Sequence, residues 1–197
     1  MKNRQVLLKR KTKETDISVK LNIDGQGKYK INTGIAFLDH MLSLFAKHGV
    51  FDLELKAKGD LDIDIHHTNE DIGIALGEAF SKALSTKVSI KRFGVGYSIL
   101  DESMARSVID ISGRPHLEVS LVKNKIQEEK DYNFSYFKHF LRSFVNASKV
   151  TLHLDVLKGN DFHHVLEVCF KALAISLDQA TIIDKRKKGI PSTKGKL

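Results

Sequence analysis

Polar and apolar residues alternate strictly along Ile17-Ser18-Val19-Lys20-Leu21-Asn22-Ile23, the period of two expected of a strand with one buried face. Asp24-Gly25 then marks a turn and Tyr29-Lys30-Ile31 a return, so the chain is predicted to open on a β-hairpin. The period changes after that. Residues 37–45 read as a helix, Phe51-Asp52-Leu53-Glu54-Leu55-Lys56 alternates again, and Ile72, Ala75, Leu76, Ala79, Phe80 and Leu84 return at helical spacing.

The second half repeats this order. Residues 107–111 and 117–121 flank the turn Ser112-Gly113-Arg114-Pro115, residues 136–144 align with 37–45, and Val150-Thr151-Leu152-His153-Leu154-Asp155 alternates. Val168, Phe170, Ala172, Leu173, Ile175 and Leu177 then mark a closing helix. The recurrence is the signature of an internal duplication. It predicts an α+β body of two ββαβα halves, about 1–93 and 94–185, each a sheet covered by two helices, followed by an aperiodic tail, 186–197.

The duplication matters because it carries chemistry. One helix opens on His66-His67-Thr68-Asn69-Glu70 and its counterpart on His163-His164-Val165-Leu166-Glu167. The first His and the Glu of each stand at i and i+4 and share a face, while the second His points about 100° away. Upstream, His40 and His139 coincide in the alignment, which makes eight possible ligands. Imidazole with carboxylate and no thiolate suits Mn, Fe, Co, Ni or Zn, whereas so many nitrogens disfavour Ca and Mg. If adjacent histidines face different ions, one set is His66, Glu70, His139 and His164, and its mate is His163, Glu167, His40 and His67. Each set mixes both halves, so the ions are expected between halves or between subunits, with metal binding coupled to assembly.

The remaining polar groups are weaker signals. Asp60, Asp62 and Asp64 alternate with Leu61, Ile63 and Ile65 like the wet face of a strand. Phe93-Gly94-Val95-Gly96 lacks the context and spacing of a nucleotide fingerprint. Asp101-Glu102 is either catalytic or merely exposed, and by their residues alone His48, His116 and His153 read as structural. Arg92, Arg114, Lys171 and Lys194 adjoin turns, a metal motif or the tail and are the candidates for anion contacts.

Composition narrows the class. A single Cys, Cys169, excludes a disulfide framework or thiolate zinc cluster and reads as a small core residue in a reducing compartment. No stretch approaches a membrane span, and Met1-Lys2-Asn3-Arg4-Gln5 is followed by no apolar signal region, so a cytoplasmic protein is expected. A net charge of +8 and a pI near 9.4 favour polyanions. Lys185-Arg186-Lys187-Lys188 reads as a solvated tail, and the chain lacks the aromatic-interleaved basic stripe of a nucleic-acid binder.

Several segments together resemble the imidazoleglycerol-phosphate dehydratases of histidine biosynthesis. They are Arg10-Lys11-Thr12-Lys13-Glu14-Thr15, residues 33–42, 66–73, Asp101-Glu102, residues 112–115, 159–167 and Pro191-Ser192-Thr193-Lys194-Gly195. The resemblance runs from about residue 4 to the C-terminus. It implies a ribosomal protein S5 domain 2-like fold and a cytoplasmic hydro-lyase that converts D-erythro-imidazoleglycerol phosphate to imidazoleacetol phosphate. Two manganese ions per active site are implied, held by His40, His66, His67, Glu70, His139, His163, His164 and Glu167. Trimers would assemble into a shell of 24 subunits with active sites between subunits, and neither nucleic acid nor membrane is an implied partner. Glu14, His40, His48, His66, Arg92, Arg114, His163, Lys171, Ser192, Thr193 and Lys194 are implied to contact substrate, the basic residues and the Ser-Thr-Lys segment around its phosphate. Glu14, Glu70 and Glu167 are the implied catalytic carboxylates. Glu14 stands outside both ligand sets and is the candidate for moving the proton, with the imidazole ring as electron sink.

The chain departs from the family pattern where Ala-Leu-Gly-Asp is replaced by Ala83-Leu84-Ser85-Thr86, around Ile99-Leu100, and over residues 123–133. Two other classes share some of these features. A metal-stapled shell or store would use the ligands only for assembly, and a dinuclear metallohydrolase would use a metal-bound water.

Overall fold

The computed structural model of the chain describes residues 4–121, 126, 128 and 131–197; much of the divergent 123–133 segment lies outside the described residues. The first half runs β1 (Gln5–Lys11), β2 (Thr15–Asn22), β3 (Tyr29–Asn32), α1 (Ala36–His48), β4 (Asp52–Gly59) and α2 (Ile65–Leu84). The second runs β5 (Phe93–Leu100), β6 (Ser103–Asp110), β7 (His116–Ser120), α3 (Phe134–Ser148), β8 (Thr151–Lys158) and α4 (Phe162–Thr181). Each half therefore carries one leading strand more than the expected ββαβα unit. The two four-stranded sheets have the same order, β1-β2-β4-β3 and β5-β6-β8-β7, with the last strand parallel to its neighbour.

That order corrects both expected hairpins. β4 lies between β2 and β3, and β8 between β6 and β7, so neither predicted turn joins paired strands. The loop after β2 instead wraps over the head of β4, where Asp52 Oδ1 accepts from the backbone N–H groups of Gln26 (2.9 Å) and Lys28 (3.1 Å). In the second half the Thr151 hydroxyl donates to the Arg114 carbonyl (3.1 Å) while His116 N–H donates to the Val150 carbonyl. Local sequence reports that the chain reverses; a distant strand then takes the neighbouring slot. The true hairpins are β1–β2 and β5–β6, and Glu14 and Glu102 sit at their tips.

Inner faces of the sheets meet the helices. Ile17, Val19 and Leu21 of β2 and Leu53 and Leu55 of β4 are fully buried under α1 and α2, and the helices of the two halves pack on one another, α2 on α3 and α1 on α4. Close approach requires glycine. A Cβ at Gly73 would stand 2.7 Å from the Phe140 carbonyl oxygen and one at Gly77 2.5 Å from that of Phe144, so these two positions let α3 settle onto α2. Gly94 and Gly96 likewise face the backbone of α4 at Ser176 and Ala172, which accounts for the Gly-x-Gly of β5 as packing. Cys169 is buried in α4, its thiol pushed up by desolvation. Among the described residues no helix is long and apolar enough to cross a membrane.

Ser85, at the end of α2, is held at φ 52°, ψ −112°, a conformation that a side chain resists. Ser85→Gly is expected to raise stability by about 1 kcal/mol, or roughly 2–4 °C in Tm for a chain of this size. A thermal melt monitored by circular dichroism checks it, and a lowered Tm would mean that the Ser85 side chain contributes more than its backbone conformation costs.

Candidate active site

The two helices that open on His-His-x-x-Glu start in the same way. Asp64 caps α2, accepting from His66 N–H (2.9 Å) and from the Tyr136 hydroxyl (2.9 Å), and Asp161 caps α4, accepting from His164 N–H (2.9 Å). The stretch holding Asp60, Asp62 and Asp64 is thus the turn into α2, not a strand, because its carboxylates are needed at the helix start. Asn69 is buried and links the halves: its amide donates to the Tyr136 carbonyl (2.8 Å) and its oxygen accepts from the fully buried Tyr132 hydroxyl (2.9 Å). This holds α3 against α2 and places His139 Nδ1 3.2 Å from His66 Nδ1, while His66 Nε2 lies 3.3 Å from Glu70 Oε2.

The mirror cluster is better formed. Phe37 packs edge-on to His163 (ring centroids 5.4 Å) and stacks on Phe162, which docks α1 on the start of α4. His40 Nε2 and His163 Nε2 come to 3.5 and 3.6 Å from the same oxygen of Glu167. One donor atom from each of the three lies within 4.8 Å of the others, at a cleft of 990 Å³ that Asp64 and Tyr136 also line. Burial raises the Glu167 carboxyl, but the Lys171 ammonium paired with it and the neighbouring His40 outweigh that and leave it below the usual carboxylate range. Two imidazoles and a carboxylate with converging atoms fit a borderline divalent cation.

His67 and His164 stand apart from both clusters within the chain. His67 Nδ1 lies 3.0 Å from Asp60 Oδ2 and 3.9 Å from Glu14 Oε2; His164 Nδ1 lies 2.9 Å from Glu102 Oε2. Both imidazoles are held above their ordinary protonation range, chiefly by those hydrogen bonds, and the bond from His164 holds Glu102 down to about 2. Each expected four-residue set is therefore represented by three residues of one chain. From sequence Asp60 reads only as part of the wet face of a strand and Glu102 is undecided; the signal that finds Glu102 is its register with Glu14.

The anion-binding candidates gather elsewhere. Arg92 N–H donates to the Ala180 carbonyl at the far end of α4, its guanidinium grips Asp110 (2.7 and 3.0 Å), and its Nη1 donates to the Pro191 carbonyl (2.9 Å), fixing the tail. Gly113, beside Arg114, abuts the backbone of Leu197, so Arg92, Arg114 and residues 191–197 share one corner. At 1.5 Å per residue, Ala180 is roughly 20–25 Å along α4 from Glu167 and His163. Lys171 stays with Glu167, and His48, exposed at the end of α1, is pushed down by desolvation and by the Lys171 charge. His116 and His153 pair with each other on the outer face of the second sheet, 5.8 Å between centroids. In the basic run, Arg186 pairs with Asp184 and Lys187 Nζ donates to the Lys91 carbonyl.

Comparison with known proteins matches this geometry to one family. A family model described as imidazoleglycerol-phosphate dehydratase matches residues 33–177. The chain is 54% identical over 192 residues to the imidazoleglycerol-phosphate dehydratase of Thermoanaerobacter pseudethanolicus, covering 98% of each protein. It is 50% identical over 196 residues to that of Prochlorococcus marinus strain MIT 9515, covering 99% of this chain and 97% of the relative. Among solved structures it is similar to the Pyrococcus furiosus enzyme, with TM-score 0.83, 36% identity and coverage of 96% of this chain and 100% of the other. The Staphylococcus aureus enzyme aligns with TM-score 0.79 and 33% identity, over 91% and 99% of the two chains.

Proposed function

The chain belongs to the imidazoleglycerol-phosphate dehydratase family and is a dehydratase of histidine biosynthesis, and we propose that it works in the cytoplasm with two manganese ions in a site that copies of the chain complete for one another. The observation that carries this reading is the separation just described. The metal-type clusters lie at the start of α2 and α4, while Arg92, Arg114 and the tail lie at the other end of α4. A substrate with an imidazole at one end and a phosphate a few bonds away cannot reach both in one chain, so the two ends come from different copies. His67 and His164 are the residues that would complete the neighbour's ligand shells.

The outer surfaces of the two sheets support assembly. The first carries Lys9, Lys20, Glu54 and Lys56 with only Leu7 and Tyr29 as large exposed apolar side chains among its described residues, whereas the second carries Phe93 (56% exposed), Val95, Tyr97, Ile99 (71% exposed) and Val108. Such a run of exposed apolar side chains on one face is ordinarily covered by a partner.

Manganese held by His40, His163 and Glu167, and by His66, Glu70 and His139, would supply positive charge that stabilises negative charge developing on the ring. The chain supplies the rest. Arg114, exposed beside the tail, and the Ser192-Thr193-Lys194 turn receive the phosphate; three of the five N–H donors of Arg92 hold the corner in shape. The Glu14 carboxylate takes the proton from the carbon that becomes the carbonyl centre, the hydroxyl on the ring-bearing carbon departs, and the two leave together as water. The resulting enol becomes the ketone.

Metal-free protein supplied with imidazoleglycerol phosphate is expected to form the keto product only after manganese is added, with a large oligomer present by native mass measurement. Product without any divalent ion would remove the metal from the reaction, and release of inorganic phosphate in place of the ketone would favour a hydrolase.

A further inference from the structure

We infer that Asp60 and Glu102 are positioning residues for the metal ligands, each holding one imidazole, His67 or His164, by its Nδ1–H so that Nε2 is the donor atom, and that Asp60, by doing this in the first half, leaves Glu14 free to move a proton. The inference rests on the reading that His67 and His164 bind metal.

The geometry repeats in both halves from residues that are not equivalent in sequence. An ionised carboxylate only accepts, so the contacts of 3.0 Å from Asp60 to His67 Nδ1 and 2.9 Å from Glu102 to His164 Nδ1 put a proton on Nδ1 and leave Nε2 as the nitrogen available to a metal. The buried positions Ile17, Val19 and Leu21 of β2 stand in register with Ala105, Ser107 and Ile109 of β6. Glu14 is therefore the counterpart of Glu102, and Thr15 that of Ser103.

The two counterparts have different duties. Glu102 is committed: besides His164 it accepts from the Ser103 hydroxyl (2.7 Å) and from Asp161 N–H (3.3 Å). Glu14 is 56% exposed and stands 3.9 Å from His67 Nδ1, outside hydrogen-bond reach, because Asp60 already occupies that nitrogen. Across the bulge at Met104/Ala105, Lys58-Gly59-Asp60 at the end of β4 corresponds to Lys158-Gly159-Asn160 at the end of β8, so the second half has an amide where the first has the Asp60 carboxylate, and its hairpin tip must serve. Among the described residues the buried Asp60 Oδ1 has no hydrogen-bond partner, and His67 is the hydrogen-bonded neighbour of this carboxyl group. A carboxylate kept partly dry in this way costs stability, which is expected of a group retained for a site.

The test is a manganese titration of the metal-free protein, with free Mn(II) read by electron paramagnetic resonance. Asp60→Asn and Glu102→Gln are each expected to weaken affinity at the affected site about 10- to 100-fold, with the far-ultraviolet circular dichroism of the metal-free protein unchanged. Glu14→Gln is expected to keep the wild-type affinity. His67→Ala and His164→Ala should lose bound metal outright. If they bind manganese like the wild type, the ligand reading itself fails. If they lose metal while Asp60→Asn and Glu102→Gln bind normally, the positioning role is overturned, and a Glu14→Gln affinity loss as large as that of Asp60→Asn overturns the division of duties. The two positions lie in different halves, so a folding failure in one variant leaves the other to decide.

Discussion

Glu14→Gln is expected to lower kcat by about 10²- to 10⁴-fold, the usual contribution of a positioned proton-transfer group, or about 3–5 kcal/mol of barrier. Glutamine keeps the size and hydrogen-bonding reach of the side chain but cannot take a proton. The hairpin tip that carries Glu14 is well anchored, which is why the loss should appear in kcat and not in KM. The Thr12 hydroxyl accepts from the N–H groups of Glu14 (3.1 Å) and Thr15 (3.0 Å). The Thr15 hydroxyl donates to Asp71 Oδ2 (2.6 Å), and Arg10 donates to Asp71 Oδ1 from two nitrogens (3.0 and 2.7 Å). Asp71 sits on α2 directly after Glu70, so the tip is tied to α2 by a buried, charge-assisted network that the substitution leaves intact. Steady-state kinetics on manganese-loaded protein decide the matter; a wild-type kcat would remove Glu14 from the proton transfer.

Gly94→Val is expected to prevent assembly of the second half, at a cost above about 3 kcal/mol, a large share of the 5–15 kcal/mol that ordinarily stabilises a domain. A Cβ at this position would run into the Ser176 carbonyl oxygen and crowd Ala180 N (2.9 Å), both of them helix backbone that has no rotamer with which to yield. To make room, α4 must lift from β5, and α4 carries His163, His164 and Glu167. The neighbouring Val95 points to the outer face and is 45% exposed, so Val95→Thr should change the stability of the isolated chain by no more than about 0.5 kcal/mol. Soluble yield and the thermal melt of the two variants give the comparison. Equal behaviour would show that the sheet and helix have slack that their backbone spacing denies.

Several features were legible because they are local. The alternation of Ile17, Val19 and Leu21 marks β2, the helical spacing of Ile72, Ala75, Leu76, Ala79 and Phe80 marks the buried face of α2, and both agree with the observed burial. The pairing of His66 with Glu70 and of His163 with Glu167 follows from four residues spanning about one helical turn. Other features were hidden for identifiable reasons. β5 shows glycine at both of its buried positions, Gly94 and Gly96, so it lacks the apolar half of a strand pattern, because a helix backbone and not a side chain fills that space. Asp60 and Asp64 alternate with apolar residues as a strand would, yet serve His67 and the α2 start, since Asx side chains compete for nearby N–H groups at helix termini.

By itself the sequence determined the duplication, the chemical type of the candidate donors and the place of the two His-His-x-x-Glu motifs at helix starts, since each of these depends on residue identity and on a period of two or about four. Only the tertiary structure decided which distant strand enters each sheet between the predicted hairpin partners, that His40 joins His163 and Glu167 while His139 joins His66, and that Arg92, Arg114 and the tail lie at the opposite end of α4. It also gave the equivalent residues Glu14 and Glu102 different surroundings: Glu102 lies 2.9 Å from His164, whereas Asp60 takes the matching place at His67 and Glu14 stands 3.9 Å away. These are contacts between residues tens of positions apart. They are chosen by backbone fit and by the satisfaction of polar groups once the core has closed, and no periodicity along the chain encodes that choice.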